Sequence, residues 1–137
     1  MTVRWEIGHE LEPLTLPPVT RLELIKYAGA SGDYNPIHTI DEEAQKAGLP
    51  GVIAHGMLTM AKMGRLFSPY LHQGYLKEFQ TRFVGMVFVG DTITVSGKVI
   101  EKEETEQGDV YTFDVQARNQ KGVSVASGQV KFICYRD

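Results

Sequence analysis

Asp33 and His38 are the two residues whose types and spacing best suit chemistry in this 137-residue chain. A carboxylate and an imidazole can hold one water between them and move its protons. Gly32 permits backbone angles that are closed to other residues. Pro36 fixes its own φ and pushes Asn35 out of the helical region. We therefore expect a bent, non-helical segment that lets both side chains converge on one point.

A second candidate feature is the start of an apolar helix near Gly56. The first backbone N–H groups of a helix have no partner within it, and a glycine there lets a ligand approach closely. The Gly56 N–H can therefore donate to a carbonyl oxygen that becomes negative, and the helix dipole favours that charge. His55 can be a base, but its place just before the helix favours a role in bracing the loop.

Helices are predicted on both sides of the Asp33 segment. The capping-box pattern from Thr20 to Glu23 opens a helix that ends at Gly29 to Gly32. A second box, from Thr39 to Glu42, opens a short helix that stops near Gly48. The longest helix is predicted from Gly56 to about Tyr70.

Strands are predicted mainly after residue 75, where the apolar period becomes alternating. One short strand near Leu14–Leu16 precedes them, and four follow at Leu76–Val84, Thr92–Glu101, Val110–Asn119 and Val123–Tyr135. The charged run Glu101 to Glu106 is predicted as a solvated hairpin end. Helices first and then consecutive antiparallel strands indicate an α+β fold.

Both candidate features resemble the MaoC-like, R-specific enoyl-thioester hydratase and dehydratase family. The matching residues are Tyr27, Ser31-Gly32-Asp33, Asn35-Pro36-Ile37-His38, Ala44 and Ala54-His55-Gly56-Met57-Leu58. The resemblance implies a hot-dog fold, in which about five antiparallel strands wrap a long central helix. It also implies a single domain over residues 1–137, usually dimeric.

The same resemblance implies a reaction and roles for its residues. Asp33 and His38 would hold one water and add it reversibly to a trans-2-enoyl thioester, giving an (R)-3-hydroxyacyl thioester. Gly56 would supply the oxyanion donor, with Tyr34, Asn35 and His55 in support. No metal or redox cofactor is implied, because coenzyme A or the phosphopantetheine of an acyl carrier is the handle of the substrate. Which of the pair is acid and which is base stays open.

The substrate-binding residues are less well defined. Met57, Met60 and Met63 can line an acyl tunnel because methionine adapts to irregular apolar shapes, although helical spacing also fits plain core packing. Some members of the resembled family carry a serine near the position of Ala61, so alanine there is a departure. The spacing of Asp33, His38 and His55 matches no common zinc pattern.

Composition narrows the possible partners and location. The net charge is −3 with no basic stripe, so no nucleic acid is expected. No apolar stretch is long enough for membrane insertion, and Met1 to Glu10 has no signal-like core. Cys134 is the single cysteine, which favours a reducing, cytoplasmic setting. A homodimer is expected because it would cover apolar helix surface and sheet edges.

Two other functions remain open at this point. A hot-dog thioesterase would use a carboxylate and water on the thioester carbonyl itself and would release free thiol. Alternatively, the chain could be one subunit of a heterodimeric dehydratase. The presence of both Asp33 and His38 favours an active chain over an inactive subunit.

Overall fold

The computed structural model describes residues 2–136 as one antiparallel sheet with helical segments packed against it. The strands are β1 (Leu14–Thr15), β2 (Gly74–Phe83), β3 (Thr94–Thr105), β4 (Gly108–Arg118) and β5 (Ser124–Cys134). The α-helices are α1 (Arg21–Ser31), α2 (Asp41–Lys46) and α3 (Gly56–Gly64), with 3-10 helices at Pro36–His38 and Arg65–Tyr70. This arrangement confirms the predicted α+β architecture with five antiparallel strands.

The sheet has the strand order β1-β3-β4-β5-β2, and every pairing in it is antiparallel. Tight hairpins join β3 to β4 and β4 to β5. The run Glu101 to Glu106 differs from expectation, because β3 continues through it and Thr105 pairs with Gly108. The charged side chains therefore lie mainly on a strand, and only residues 106–107 form the turn.

The predicted helix from Gly56 to Tyr70 is divided into two parts. It is α-helical to Gly64 and continues as a 3-10 helix to Tyr70. Pro69 has no N–H to donate to the preceding turn, which favours the tighter 3-10 geometry. The prediction that this segment is the longest helix was wrong when only α-helical residues are counted. Helix α1 has 11 residues and α3 has 9.

Only half of the first predicted capping box forms. The Thr20 hydroxyl accepts from the Glu23 N–H at 3.1 Å, as expected. The Glu23 carboxylate does not reach back, because it accepts from the Lys62 ammonium of α3 at 2.8 Å. Lys62 is buried, so this ion pair fixes α1 against α3 in surroundings where an unpaired ammonium would be costly.

The second predicted capping box was wrong. Helix α2 follows Ile40 with no side-chain cap, and the Thr39 N–H instead closes the preceding 3-10 turn on the Pro36 carbonyl. Asp41 accepts from the Val52 N–H at 3.1 Å and from the Arg21 guanidinium at 2.6 Å. Both hydrogen bonds lower the pKa of Asp41, and the bond from the Val52 N–H has the larger effect. They also tie α1 and α2 to the segment that leads into α3.

The core lies between the helical layer and the concave face of the sheet. Its centre is aromatic, and the Trp5 ring makes edge-to-face contacts with four neighbours at Tyr70, Tyr111, Phe113 and Phe132. Such contacts add about 0.5–1.5 kcal/mol each beyond the burial of area. The N-terminal arm is thus part of the core. Within residues 2–136, no helix has both the length and the apolar character needed to cross a membrane.

The close approach of β2 to β5 depends on Gly128. A Cβ at this position would collide with the backbone oxygen of Gln80 on β2. We expect Gly128→Ala to lower the free energy of unfolding by about 1–3 kcal/mol or more, because the two strands must separate. Urea unfolding followed by circular dichroism measures this change.

Gly29 offers a matched control for the same substitution. It lies within α1, and a Cβ there would meet nothing within 4 Å. Gly29→Ala should therefore raise the free energy of unfolding by about 0.5–1 kcal/mol, as expected for alanine in a helix. Equal effects of the two substitutions would contradict the steric argument.

Candidate active site

The bent segment after α1 is fixed by a relay of short-range hydrogen bonds. Gly32 adopts the left-handed conformation with φ 76°, which ends the helix. Each polar side chain then accepts from the backbone N–H two residues on. The steps run from Ser31 to Asp33 at 3.1 Å, from Asp33 to Asn35 at 3.2 Å and from Asn35 to Ile37 at 3.2 Å. Such local bonds stabilise turns in preference to helix.

Asp33 divides its two carboxylate oxygens between different tasks. Oδ1 accepts from the Asn35 N–H in the relay. Oδ2 faces the Nε2 atom of His38 at 3.8 Å. That distance exceeds a direct hydrogen bond and suits two groups that share a water. One oxygen therefore builds the turn, and the other remains available for chemistry.

The orientation of His38 is set by the backbone of the segment before α3. The His38 Nδ1 atom lies 2.7 Å from the Ile53 carbonyl oxygen. A carbonyl can only accept, so Nδ1 carries the hydrogen, and Nε2 of the neutral ring has a free lone pair directed toward Asp33. The ring is 8% exposed. His38 is therefore prepared to accept a proton at Nε2.

His55 contacts both members of the pair. Its Nε2 donates to the Asp33 carbonyl at 3.2 Å, and its ring stacks on that of His38 with centroids 3.9 Å apart. The ring is 2% exposed, and Nδ1 has no hydrogen-bond partner among the described residues. Burial is the main cause that lowers the pKa of His55, and the nearby His38 acts in the same direction. This neutral, buried ring supports the predicted bracing role.

Gly56 is the first residue of α3, beside the pair. The carbonyl of His55 accepts from the N–H groups of Leu58 and Thr59. The first N–H groups of α3 have no carbonyl acceptor within the helix. Gly56 lines the same 410 Å³ cavity as Asp33 and His55. A carbonyl oxygen in this cavity could therefore accept from the helix start.

The other predicted site residues are less closely gathered. Tyr34 is 71% exposed. The side chain of Asn35 caps the 3-10 turn at Ile37, and only its backbone N–H contacts the Asp33 carboxylate. Among the methionines, Met57 lines the cavity, Met60 is half-buried and Met63 lies fully buried in the core. The three do not line one tunnel, and Ala61 is exposed. The catalytic and binding roles of all these residues stay predictions.

The possible metal ligands also come together. Asp33, His38 and His55 offer ligand atoms that all lie within 4.8 Å of one another. Zinc bonds to nitrogen and oxygen are about 2.0–2.2 Å long, so three ligands spread this widely would have to close in to bind one ion. Two of the ring nitrogens already donate to backbone carbonyls. The cluster is better arranged for proton transfer than for metal binding.

Sequence reasoning assigned no role to Phe83, which lines the cavity beside Gly56. Phe83 ends β2, and its ring lies so near that a Cβ at Gly56 would sit 3.2 Å from three of its carbons. The Ile53 carbonyl that orients His38 was also missed. An aromatic residue at the end of a predicted strand and just before Gly85 was the available signal for Phe83.

Comparison with known proteins gives the class of this fold and site. The model of the MaoC like domain matches residues 5–121, and the chain belongs to this family. The (R)-hydratase of A. caviae, described as involved in PHA biosynthesis, is 26% identical with a TM-score of 0.79. The match covers 95% of this chain and 97% of that hydratase chain. The unliganded R-hydratase of Pseudomonas aeruginosa shares the fold with a TM-score of 0.85, at 24% identity over 97% and 84% of the two chains.

Curated relatives include much larger proteins. A mitochondrial 3-hydroxyacyl-[acyl-carrier-protein] dehydratase of Arabidopsis thaliana is 29% identical over 78% of this chain and 65% of its own length. The fatty acid synthase subunit beta of Aspergillus oryzae is 47% identical over 50% of this chain. This chain spans only 4% of that subunit's length. The family and the predicted hot-dog fold are therefore established.

The lowered pKa of His55 predicts how stability depends on pH. Below the ordinary value of 6.5, the unfolded chain takes up a proton at this residue that the folded chain refuses. The free energy of unfolding should therefore fall as pH decreases below about 6.5, and this contribution should vanish above that value. In His55→Gln, which cannot titrate there, the loss between pH 7.5 and 5.5 should be smaller.

Urea unfolding at the two pH values measures this difference. His9→Gln removes an exposed histidine of the N-terminal arm and should leave the pH-dependent loss close to that of the unchanged protein. An identical loss in the His55→Gln and His9→Gln variants would contradict the assignment.

Proposed function

We propose that this protein is a hydro-lyase that adds water reversibly to trans-2-enoyl thioesters, giving (R)-3-hydroxyacyl thioesters. The main support for this proposal is that Asp33 Oδ2 and His38 Nε2 face each other at a distance of 3.8 Å. The start of α3 at Gly56 lies beside this pair. The R configuration is taken from the names of the hydratase relatives.

Addition of water to the enoyl thioester begins at the Asp33 and His38 pair. A water hydrogen-bonded to both Asp33 and His38 loses one proton to the pair while its oxygen bonds to C3 of the enoyl group. The π electrons of the double bond move toward the thioester, and the carbonyl oxygen gains negative charge. The Gly56 N–H donates to that oxygen, an interaction typically worth about 10²–10³-fold in rate.

The pair then returns a proton to C2, which restores the carbonyl and completes the addition. Each proton-transfer group typically contributes about 10²–10⁴-fold. The hydrogen on His38 Nδ1 favours Nε2 as the first acceptor, because its lone pair faces the shared water. Asp33 Oδ2 lies 3.8 Å from this nitrogen and contacts the same water, so either member of the pair can deliver the proton to C2.

Asp33→Asn and His38→Ala test this assignment. Asparagine keeps an oxygen for the Asn35 N–H, so the relay and the fold should survive while proton transfer is lost. Each variant should lower turnover by about 10²–10⁴-fold. The measurement is loss of conjugated enoyl-thioester absorbance with crotonyl-CoA and a longer enoyl-CoA, with circular dichroism to confirm folding.

Two controls separate this reaction from its alternatives. His9→Ala removes an exposed histidine and should leave the rate unchanged. Thiol trapping run in parallel should detect no free thiol, whereas thiol release would indicate a thioesterase. Near-normal rates in either site variant would overturn the assignment of the pair. Activity that appears only after addition of a second hot-dog chain would indicate a heterodimeric dehydratase.

The proposal includes a homodimer in the cytoplasm. The lone Cys134 favours a reducing compartment. Strand β2 pairs only with β5 in the described sheet, so its other edge carries unpaired backbone groups over ten residues. Such an edge is a template for another strand. Leu22 and Ile25 on α1 are also more than half exposed.

Sedimentation equilibrium of the purified chain tests this state. Two chains of 15.3 kDa joined along β2 should give a mass of about 31 kDa, twice the mass of one chain. A mass of one chain at micromolar concentration would contradict the homodimer.

A further inference from the structure

Two cavities meet at the candidate active site, and they share only Gly56 and Phe83. The 410 Å³ cavity contains Asp33 with Tyr27, Ser31, His55 and Met57. The 270 Å³ cavity contains His38 and is lined mainly by aliphatic residues, among them Ile53, Met86, Val87 and Val125. The two members of the pair therefore face different cavities, although their side chains lie 3.8 Å apart.

The wall between the cavities is formed by Gly56 and the ring of Phe83. A Cβ added at Gly56 would lie 3.2 Å from Cδ2, Cε2 and Cζ of that ring. This is tighter than ordinary contact between carbons, so the ring fills the space above the start of α3. A side chain at position 56 would therefore displace the ring by a few tenths of an ångström.

The backbone that carries this ring is fixed, and one edge of the ring is packed. The N–H groups of Val84 and Gly85 both donate to the Val125 carbonyl, at 3.0 and 3.1 Å. The Phe83 side chain is 45% exposed, but the edge formed by Cδ2, Cε2 and Cζ lies over Gly56. The anchored backbone and this contact together hold the ring at the start of α3.

A thioester that reacts at the pair must extend into both cavities. This step rests on the proposed function. With its carbonyl oxygen at the Gly56 N–H and C3 between Asp33 and His38, the acyl chain fits the aliphatic cavity of 270 Å³ and the carrier arm fits the larger one of 410 Å³. C2 lies between the carbonyl carbon and C3, and so comes beneath the ring of Phe83.

We propose that Phe83 is a specificity-determining residue that excludes substituents at C2 of the enoyl thioester. The ring leaves room for a hydrogen at C2 but not for a methyl group. The protein therefore selects straight-chain enoyl thioesters over those branched at C2. Removal of the ring joins the two cavities above C2 and relaxes this selection.

A pair of substrates that differ by one methyl group tests the proposal. The ratio of kcat/KM for 2-methylcrotonyl-CoA to that for crotonyl-CoA should be low in the unchanged protein. Phe83→Ala should raise this ratio by at least about tenfold, within the range that one methyl group is worth in a tight pocket. Tyr75→Ala removes an exposed aromatic ring at the opposite end of β2 and should leave the ratio unchanged. A ratio unchanged by Phe83→Ala would overturn the proposal.

A double-mutant cycle with Gly56→Ala gives an independent test. The added methyl group should lower kcat/KM for crotonyl-CoA when the ring of Phe83 is present, because the ring must shift over the bound substrate. In the Phe83→Ala background the same change should cost much less, since the space is open. Additive effects of the two substitutions would show that they do not share this space, and would contradict the proposal.

Calorimetric binding of the two thioesters separates failure of this inference from failure of the proposed function. Phe83→Ala should improve binding of 2-methylcrotonyl-CoA relative to crotonyl-CoA, and this readout requires no turnover. Absence of hydration with a changed binding ratio would overturn the proposed reaction and leave the role of Phe83 standing. Hydration with an unchanged binding ratio would do the reverse.

Discussion

The candidate site depends on the turn between α1 and the 3-10 helix that contains His38. Three side chains in a row, Ser31, Asp33 and Asn35, satisfy backbone N–H groups that no helix or strand would satisfy. This constraint has a chemical consequence, because one oxygen of Asp33 is committed to the turn and cannot rotate away. The other oxygen must then face Nε2 of His38. A role in the turn and the proposed role in catalysis are therefore compatible, because they would use different oxygens of one carboxylate.

Contacts from the segment before α3 make this turn part of the tertiary structure. The Ile53 carbonyl selects the tautomer of His38, and His55 donates to the Asp33 carbonyl. Asp41 binds the Val52 N–H, so the same segment is also fixed to α2. The segment before α3 thus positions both Asp33 and His38. A local motif supplies the reacting groups, and long-range backbone contacts set their distance and protonation.

The sequence could predict those features whose causes are local. The spacing of Asp33 and His38, the α+β pattern and the positions of the four long strands follow from turn residues and apolar periodicity. The first capping box is half formed because the Glu23 carboxylate binds the Lys62 ammonium of α3, and the second fails because the Thr39 N–H closes the preceding 3-10 turn. Phe83 received no role because its place above Gly56 depends on the pairing of β2 with β5, which periodicity alone does not give. The roles of the site residues remain predictions, whereas family and fold are confirmed.

Within residues 2–136 no group bonds to the buried Nδ1 of His55, and this has a cost. A buried nitrogen without a partner typically costs about 1–3 kcal/mol, so most proteins satisfy such an atom. A donor beside Nδ1 would recover that free energy, whereas an acceptor there would favour the protonated ring. A charged His55 would lie against His38, with centroids 3.9 Å apart, and would oppose the uptake of a proton at Nε2. Burial lowers the pKa of His55, so the neutral ring can brace Asp33 without opposing the proton uptake that we propose for His38.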